Sequence, residues 1–586
     1  MFEKEQQSIQ AQVEGILSMA GLPAGQLKWS WIPFSGHWGI STSMFATASQ
    51  LAKTEVGLDV KARAVKIAEL VRSNLVLPVE FEKAEAVNGY LNLYFDPHVF
   101  ALQVIDSVLS LGQAFGRGEA THRKIMVEYS QPNTHKAFHV GHLRNMVLGS
   151  SITNILEFAG NDVIPANYIG DIGLHVIKWL WNYMTYHAGE TPPKDGMTRW
   201  MGSLYAEAVK RLEGEPLLEE QVRELFKRWD ERDPQIFALW EQTRQWSLDA
   251  FNQVYDILNI HFDRVYFESE VEDSGKDIVN ALIEKGIARD ERPEGAVIID
   301  LDSILGTKEE YRVLVILRSD GTSLYSTKDL SLAINKFTEY DLDQSVYVID
   351  VRQSLYMKQI FKVMELMGYD WAQKCHHLAY EIVNLPGNVT IASREGTVVL
   401  LEDLIAEAEK RALAIVEGKN PDLAMDMKAA IAREVAIGAI KYSLLSRDNT
   451  KIITFDWDAA MDVNGQAAPY IQYAAVRANS ILRKVQFTIP ESEHVGYTLS
   501  REEIELVDYL ARFPQEVQRA SKDFKPMLIS NYAFDLARMF SNFYNNCPVL
   551  TADGQTRTFR LRMVAASKQV ITNSLGLLGI EVPDVM

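Results

Sequence analysis

The residues best suited to chemistry are His139, Gly141 and His142, which open a predicted helix directly after a strand and a turn. The first turn of a helix offers free N–H groups and a positive dipole to an anion. Histidines three residues apart lie on one face of that turn and can donate to phosphate oxygens. Gly141 lets a base or sugar approach the backbone, and Lys136 adds a positive charge nearby. The pattern predicts a phosphate site.

The elements around this site alternate between strands and helices. A strand at 124–130 and a turn precede the helix Val140–Phe158, and a second strand, Val163–Asp171, precedes another helical stretch. Farther along, the apolar run Val346–Val351 is followed by the predicted helix Ser354–Met367. Strands that alternate with helices are typical of a parallel, nucleotide-binding sheet. The predicted fold class is therefore α/β, with a Rossmann-type catalytic domain.

Three domains are predicted along the 586 residues. Residues 1–118 mix helices with a strand and form an α+β domain, which ends in the glycine-rich linker Gly112–Thr121. Residues 119–450 form the catalytic domain and carry a helical insertion within 195–258. Residues 451–586 are read as an all-α domain with a polar break at Pro490–Tyr497.

Composition excludes several classes of protein. No apolar run approaches the roughly 18 to 20 residues that a membrane span needs, so no membrane partner is expected. The polar start MFEKEQQSIQ does not resemble a secretory signal. With only Cys375 and Cys547, a disulfide framework and a cysteine-based zinc site are excluded. A reducing cytoplasm is the expected location, and no metal site is predicted.

The net charge of −19 argues at first against a nucleic-acid partner, because phosphates attract Lys and Arg. The charge is uneven, however: residues 451–586 carry 14 Lys and Arg against 15 Asp and Glu. A nearly neutral helical domain on an acidic body can still present a local basic face. Net charge therefore does not decide whether the protein binds a nucleic acid.

HVGH, at His139–His142, resembles the HIGH signature of class I aminoacyl-tRNA synthetases, and SQPNTHKAFHVGHLRN is similar to the arginyl branch. Further segments resemble the same branch in the same order, across essentially the whole chain: Asn167–Gly173, Ser319–Ala333, Leu444–Ala460, Ala468–Lys484 and Leu575–Met586. The resemblance implies ligation of L-arginine to tRNA(Arg) through an arginyl-adenylate. It implies ATP as a substrate, with Mg²⁺ arriving on the nucleotide, and activation that can depend on bound tRNA.

The resemblance also implies roles for single residues. Tyr325 and Asp329, spaced i, i+4 at a helix start, match the pair that recognises the guanidinium, and Glu268 matches a further carboxylate for it. Ser130, Asn133, His142 and Gln353 match other contacts of the amino acid. His139, Gly141, His142, Lys136 and Arg394 are implied for ATP, and all of them except Gly141 are also implied for catalysis.

Two departures from the family pattern stand out. The second class I signature, KMSKS, is degenerate: Thr390 replaces its first lysine, and Arg394 remains as the charge suited to pyrophosphate. Lys136 is therefore expected to compensate. The second departure is Tyr356–Met357, where the family usually has His-Phe. Two alternatives stay open, namely an inactive paralogue that binds tRNA and a class I ligase for another amino acid.

For tRNA, aromatic residues and arginines interleave in the last domain, which resembles the family's α-helical anticodon-binding domain. Aromatic stacking and phosphate contacts by Arg are how single-stranded loops are read. The candidates are Tyr473 and Arg477, among the set Tyr470, Arg483, Tyr532, Phe543 and Tyr544. Tyr90 and Asn92 match the N-terminal domain that reads the D-loop. A monomer is expected.

Overall fold

A computed structural model describes residues 3–24, 27–51, 59–385, 389–390, 400–486, 488 and 495–586. Its N-terminal part contains α1 (Glu3–Met19), β1 (Trp29–Trp31), β2 (Gly39–Ser43), α2 (Phe45–Leu51), α3 (Val60–Asn74), β3 (Phe81–Val87), β4 (Tyr90–Phe95) and α4 (Pro97–Leu111). The four strands form an antiparallel sheet in the order β1-β2-β4-β3.

Local sequence explains how these N-terminal elements begin and end. The turn between β3 and β4 is Asn88-Gly89, and both residues have positive φ, which suits a two-residue hairpin. Asp59 and Asp96 accept backbone N–H groups at the starts of α3 and α4. Pro97 occupies the first turn of α4, where a missing N–H costs nothing.

The central part begins with β5 (Lys124–Glu128), α5 (Val140–Phe158) and β6 (Asp162–Ile169). Its elements continue with α6 (Leu174–Tyr186), α7 (Met197–Leu212), α8 (Pro216–Asp230), α9 (Pro234–Ile257), β7 (Arg264–Phe267), α10 (Glu268–Glu284), β8 (Arg289–Asp290), β9 (Val297–Asp300), α11 (Leu301–Leu305), β10 (Val313–Leu317), α12 (Tyr325–Tyr340), β11 (Gln344–Asp350), α13 (Ser354–Leu366) and β12 (Cys375–Tyr380).

Five of these strands form one parallel sheet in the order β12-β11-β5-β6-β7. The chain moves outward from β5 to β7 and then returns to the other side of β5 for β11 and β12. The strand order therefore reverses between β5 and β11. In an open α/β sheet, ligands bind at the carboxyl ends of the strands beside such a reversal.

Two insertions stand at the same end of the sheet. Helices α6–α9 enclose a core of their own that includes Trp179, Ile236 and Trp240. A small antiparallel sheet, β10-β9-β8, lies between α10 and α12 along the chain. Helices α6–α9 directly follow β6, and the segment after β10 reaches the same region, because residues of both insertions line one cleft with Glu268, the first residue after β7.

The remaining elements are mostly helices. They are β13 (Val383–Leu385), β14 (Val389–Thr390), α14 (Leu401–Lys419), α15 (Met425–Leu445), β15 (Ile453–Thr454), α16 (Trp457–Ala460), α17 (Ala468–Lys484), α18 (Arg501–Asp523), α19 (Pro526–Asn546) and α20 (Gly554–Leu577). Ser500 and Glu503 form a capping box at the start of α18. The buried Lys441 donates to the carbonyls of Leu258 and Gly579, so one ammonium ties α15 to the ends of α9 and α20.

The predicted fold class is confirmed by this arrangement of a parallel sheet, an antiparallel N-terminal sheet and a helical C-terminal part. The helix Val140–Phe158 has the predicted bounds. Strand β12 ends at Tyr380, and Val383 starts a strand of another sheet. In the described part of the chain, no helix combines the length and apolarity that a bilayer span requires.

Candidate active site

His139 and His142 hold the first turn of α5 together. Nδ1 of His139 accepts the N–H of Gly141 at 3.1 Å, and Nδ1 of His142 accepts the N–H of His139 at 3.2 Å. The two rings stack with centroids 3.9 Å apart. Because both Nδ1 atoms are acceptors, each neutral ring carries its proton on Nε2. The turn therefore holds two N–H donors in addition to the free backbone groups of the helix start.

Both imidazoles are neutral at pH 7. Burial lowers the pKa of His139, and the charge of Lys136 lowers it further. The pKa of His142 falls well below its usual value through burial and through His139 and Lys136. A Cβ added at Gly141 would lie 2.9 Å from Cε1 of His139. A side chain at this position would therefore displace the capping ring of His139.

The loop after β5 has an unusual backbone. Ser130, Gln131 and His135 all have positive φ, which costs energy for residues with side chains. Asn145 on α5 accepts the N–H of Ser130 at 2.5 Å and donates to the carbonyl of Val348 at 2.8 Å. This side chain therefore ties the loop, α5 and β11 together at the point where the strand order reverses.

The first cavity, which we call the switch-point pocket, has a volume of about 470 Å³. It is lined by residues from the carboxyl ends of β5, β11 and β12 and from the start of α5, among them Ser130, Asn133, His139, Gly141, His142, Asp350 and Gln353. Six residues predicted for ATP or the amino acid thus share one pocket. The hydroxyl group of Ser130 is already bonded to that of Tyr255 at 2.8 Å.

The second cavity, of about 460 Å³, is called the carboxylate pocket. It adjoins the first, because Gln131, Asn133, Ile349 and Gln353 line both. Tyr325 and Asp329 line it together, as their spacing on α12 predicts. Tyr325 is 62% exposed, so it stands at the mouth, whereas Asp329 lies deeper.

The carboxylates in and beside this pocket differ in their partners. Glu128 forms a buried ion pair with Lys336, and Glu268 pairs with Lys328 at 3.3 Å. For Asp329, in contrast, no Lys, Arg or His nitrogen within the described ranges lies within 4.0 Å. Burial raises its pKa to about 7, against the opposing hydrogen bond from Tyr356. Asp329 is thus the acid of this set that still needs a cation.

Asp171, at the end of β6, is used within the protein. It is fully buried, and its carboxylate accepts the N–H and the hydroxyl of Ser269 and pairs with Arg244 at 2.9 Å. Since Ser269 lies in the first turn of α10, Asp171 caps that helix from another element. A carboxylate with these partners positions Glu268 and is not a free ligand.

Lys136 lies in a third and larger cavity, the wide cleft, of about 760 Å³. Its ammonium lies 5.1 Å from the ring centre of Tyr205, and burial lowers its pKa. The wide cleft also contains Glu268 and Tyr325, so it opens beside the carboxylate pocket. Its basic lining residues are Lys136, Lys178, Arg223, Lys276, Arg318 and Lys328. Lys136 therefore stands beside the histidine pair without lining their pocket.

Arg394 and most of the degenerate second signature lie outside the described residues, and only the backbone of Thr390, in β14, is described. Leu400 is the next residue that the structure describes, and it forms a β-bridge with His139. The N–H of Leu401 donates to the carbonyl of Phe138. The segment that follows the second signature is therefore joined to the start of the first.

Far from these cavities, Arg477 of α17 lies between two aromatic rings, 5.0 Å from Tyr473 and 5.3 Å from Tyr544. Tyr532 and Phe543, by contrast, are buried in the helical core. In the N-terminal sheet Tyr90 is 45% exposed. Asn92 accepts the hydroxyl of Ser41 at 2.7 Å.

Sequence reasoning missed three residues of the carboxylate pocket. Gln131 lines both pockets and donates to Glu128 at 2.8 Å. The hydroxyl of Tyr168 is buried there with no hydrogen-bond partner in the described structure. Gln131 and Tyr168 lie within two segments that resemble the family, Ser130–Asn145 and Asn167–Gly173, so this resemblance could have identified them. Glu128 ends an apolar strand, and no sequence pattern marked it as a pocket residue.

Comparisons with known proteins agree with this geometry. A family profile described as "tRNA synthetases class I (R), catalytic domain" matches residues 104–457, and one described as "DALR anticodon binding domain" matches residues 471–586. The arginine–tRNA ligase of Clostridium botulinum is 36% identical over 86% of this chain and 88% of its own. That of Bdellovibrio bacteriovorus is 34% identical over 92% and 93%.

Solved structures give the same result. The arginyl-tRNA synthetase of Thermus thermophilus superposes with a TM-score of 0.77 at 27% identity, over 99% of this chain and 100% of its own. The Plasmodium falciparum enzyme, at 20% identity and a TM-score of 0.73, shares the fold. The predicted family is confirmed: the chain belongs to the arginyl branch of the class I tRNA synthetases.

Proposed function

We propose that this protein is an arginine–tRNA ligase that activates L-arginine with ATP and transfers it to tRNA(Arg). The observation that carries the arginine assignment is the state of Asp329. It is a half-buried carboxylate with no Lys, Arg or His nitrogen within 4.0 Å in the described structure, in a pocket that adjoins the switch-point pocket. A guanidinium in that pocket would supply the missing charge and bond to the carboxylate.

ATP occupies the switch-point pocket in this proposal. The Nε2–H groups of His139 and His142 and the N-terminus of α5 stabilise the negative charge that develops on the phosphates. Lys136, beside the histidine pair, and Arg394 add positive charge. Mg²⁺ bound with the nucleotide would supply further positive charge to the phosphates. Within the described residues, no cluster of three or more His, Cys, Asp or Glu could hold a metal by itself.

Arginine occupies the carboxylate pocket, with its guanidinium at Asp329 and the hydroxyl of Tyr168 as a further polar contact. Tyr325 covers the mouth. Because Lys328 neutralises Glu268, we assign Glu268 a supporting role near the guanidinium. The α-amino and α-carboxyl groups lie at the junction of the two pockets, where Asn133 and Gln353 are available; Ser130 shapes the adjoining wall.

The reaction has two steps. An oxygen of the arginine carboxylate attacks the α-phosphorus of ATP, the bond to pyrophosphate breaks, and arginyl-adenylate forms. A terminal ribose hydroxyl of the tRNA then attacks the activated carbonyl and releases AMP. The side chains named here act by positioning the reactants and stabilising charge, without forming a covalent intermediate.

The tRNA enters through the wide cleft, whose lysines and arginines suit the phosphates of its acceptor end. For the anticodon loop we propose Tyr473 and Arg477, because a base can stack on an aromatic ring while arginine contacts a phosphate. Tyr90 and Asn92 are proposed for the D-loop; the exposure of Tyr90 supports its part.

We further propose three domains, 1–118, 119–450 and 451–586, in a monomer. Both cysteines are free thiols, Cys375 and Cys547, which supports a reducing compartment such as the cytoplasm.

The test is arginine-dependent ATP–pyrophosphate exchange, measured with and without tRNA, with citrulline as the matched control. Citrulline has nearly the same shape as arginine but lacks the positive charge. We expect exchange with arginine and none with citrulline. Equal exchange with citrulline or with another amino acid would overturn the arginine assignment, and no exchange under any condition would favour an inactive paralogue that binds tRNA.

A further inference from the structure

The side chain of Tyr356 lines the carboxylate pocket beside that of Asp329. Its hydroxyl donates to Oδ2 of Asp329 at 2.5 Å. We propose that Tyr356 is a positioning residue that fixes the Asp329 carboxylate for the guanidinium of arginine and favours its ionised form. This inference rests on the proposed function, since it requires arginine in this pocket.

The geometry leaves one acceptor free for the ligand. Tyr356 engages Oδ2, and no second donor to this carboxylate is found among the described side chains. Oδ1 is therefore available for a guanidinium N–H. A carboxylate held at one oxygen has lost most of its rotational freedom before the ligand arrives, so less entropy is lost on binding.

The chemical type of the donor matters as much as its position. Lys336 and Lys328 already cancel the charges of Glu128 and Glu268 in this pocket. A third lysine at Asp329 would leave no net charge for the ligand. A phenol instead donates a hydrogen bond and keeps the negative charge in place.

Tyr356 remains a donor throughout the working range of pH. Burial and the neighbouring Asp329 raise the pKa of its hydroxyl well above the usual value. Tyr356 occupies a position at which the arginyl family usually has histidine. An imidazole becomes a cation in mild acid and would then compete with the guanidinium for Asp329, whereas a phenol stays neutral.

The test is the pH dependence of the arginine KM for Tyr356→Phe, measured by ATP–pyrophosphate exchange with tRNA present. The hydrogen bond from Tyr356 lowers the pKa of Asp329, which stands at about 7 with this bond in place. If its loss raises that pKa by about one unit, the KM at pH 7 rises about fivefold, and at pH 9.5 by less than twofold. The kcat and the KM for ATP should stay within about twofold.

Tyr311→Phe is the matched control, because it also removes a tyrosine hydroxyl that donates to a carboxylate, that of Glu309 at 3.0 Å, outside the three cavities. Its KM profile should overlay that of the wild type. A Tyr356→Phe profile that overlays the wild type, or that is displaced equally at every pH, would overturn the positioning role. Absence of arginine-dependent exchange in the wild type would instead refute the proposed function.

Discussion

The most informative perturbation of this protein is Asp329→Asn, which removes one negative charge and changes little in shape. The amide oxygen of Asn can still accept the hydroxyl of Tyr356, so the floor of the carboxylate pocket should keep its geometry. What is lost is the attraction between the carboxylate and the guanidinium. The substitution therefore isolates charge from packing.

The size of the effect follows from the site. Two unit charges about 4 Å apart at an effective dielectric constant of about 20 attract by roughly 4 kcal/mol. Removing one partner of a buried charge pair costs about 2 to 5 kcal/mol, in the same range. Since about 1.4 kcal/mol corresponds to a factor of ten, kcat/KM for arginine should fall roughly a hundredfold to a thousandfold.

The assay is ATP–pyrophosphate exchange with tRNA present, over a range of arginine concentrations from pH 6 to pH 9.5. Burial raises the pKa of Asp329 to about 7, and a bound guanidinium favours the ionised acid. The wild-type KM for arginine should therefore fall as the pH rises through about 7 and level off above it. In Asp329→Asn this pH dependence should disappear.

The KM for ATP should change by less than about twofold, because Asp329 does not line the switch-point pocket. Asp341→Asn is the matched control, since Asp341 is an exposed residue at the C-terminal end of the same helix. An Asp329→Asn enzyme whose arginine kcat/KM is within fivefold of the wild type would refute the assignment of the guanidinium to this carboxylate.

Three further predictions concern the other parts of the site. Lys136→Ala should lower the exchange rate by about two orders of magnitude or more while Lys136→Arg keeps most of it; an unchanged rate in Lys136→Ala would show that the proposed compensation is wrong. Gly141→Ala should raise the KM for ATP at least about tenfold, because its Cβ would displace the ring of His139; an unaltered KM would show that the ring can move aside without loss. Glu128→Gln leaves the ammonium of Lys336 buried without its anion. It should therefore lower the free energy of unfolding, measured by denaturant titration, by about 3 to 5 kcal/mol. A smaller loss in the double variant Glu128→Gln/Lys336→Met would confirm that the unpaired charge is the cause.

The parts that could be predicted from sequence are those governed by neighbours along the chain. The bounds of α5 follow from the turn before His139 and from the apolar residues after it. The i, i+4 spacing of Tyr325 and Asp329 on α12 places them in one pocket because helix geometry is nearly invariant. The parallel sheet follows from the alternation of strands and helices.

Tertiary structure decided which charges are free. The sequence predicts both Glu268 and Asp329 as carboxylates for the guanidinium, yet Lys328 neutralises Glu268, and Arg244 likewise neutralises the neighbouring Asp171. Lys328 lies on α12 and Arg244 on α9, away from the elements that carry the two acids, so no local sequence pattern predicts these ion pairs. The same holds for Tyr356, whose hydroxyl meets Asp329 only because α12 and α13 pack together. The sequence alone identified an adenylating site at His139–His142, and only the fold showed which carboxylate is left without a cation to receive the guanidinium.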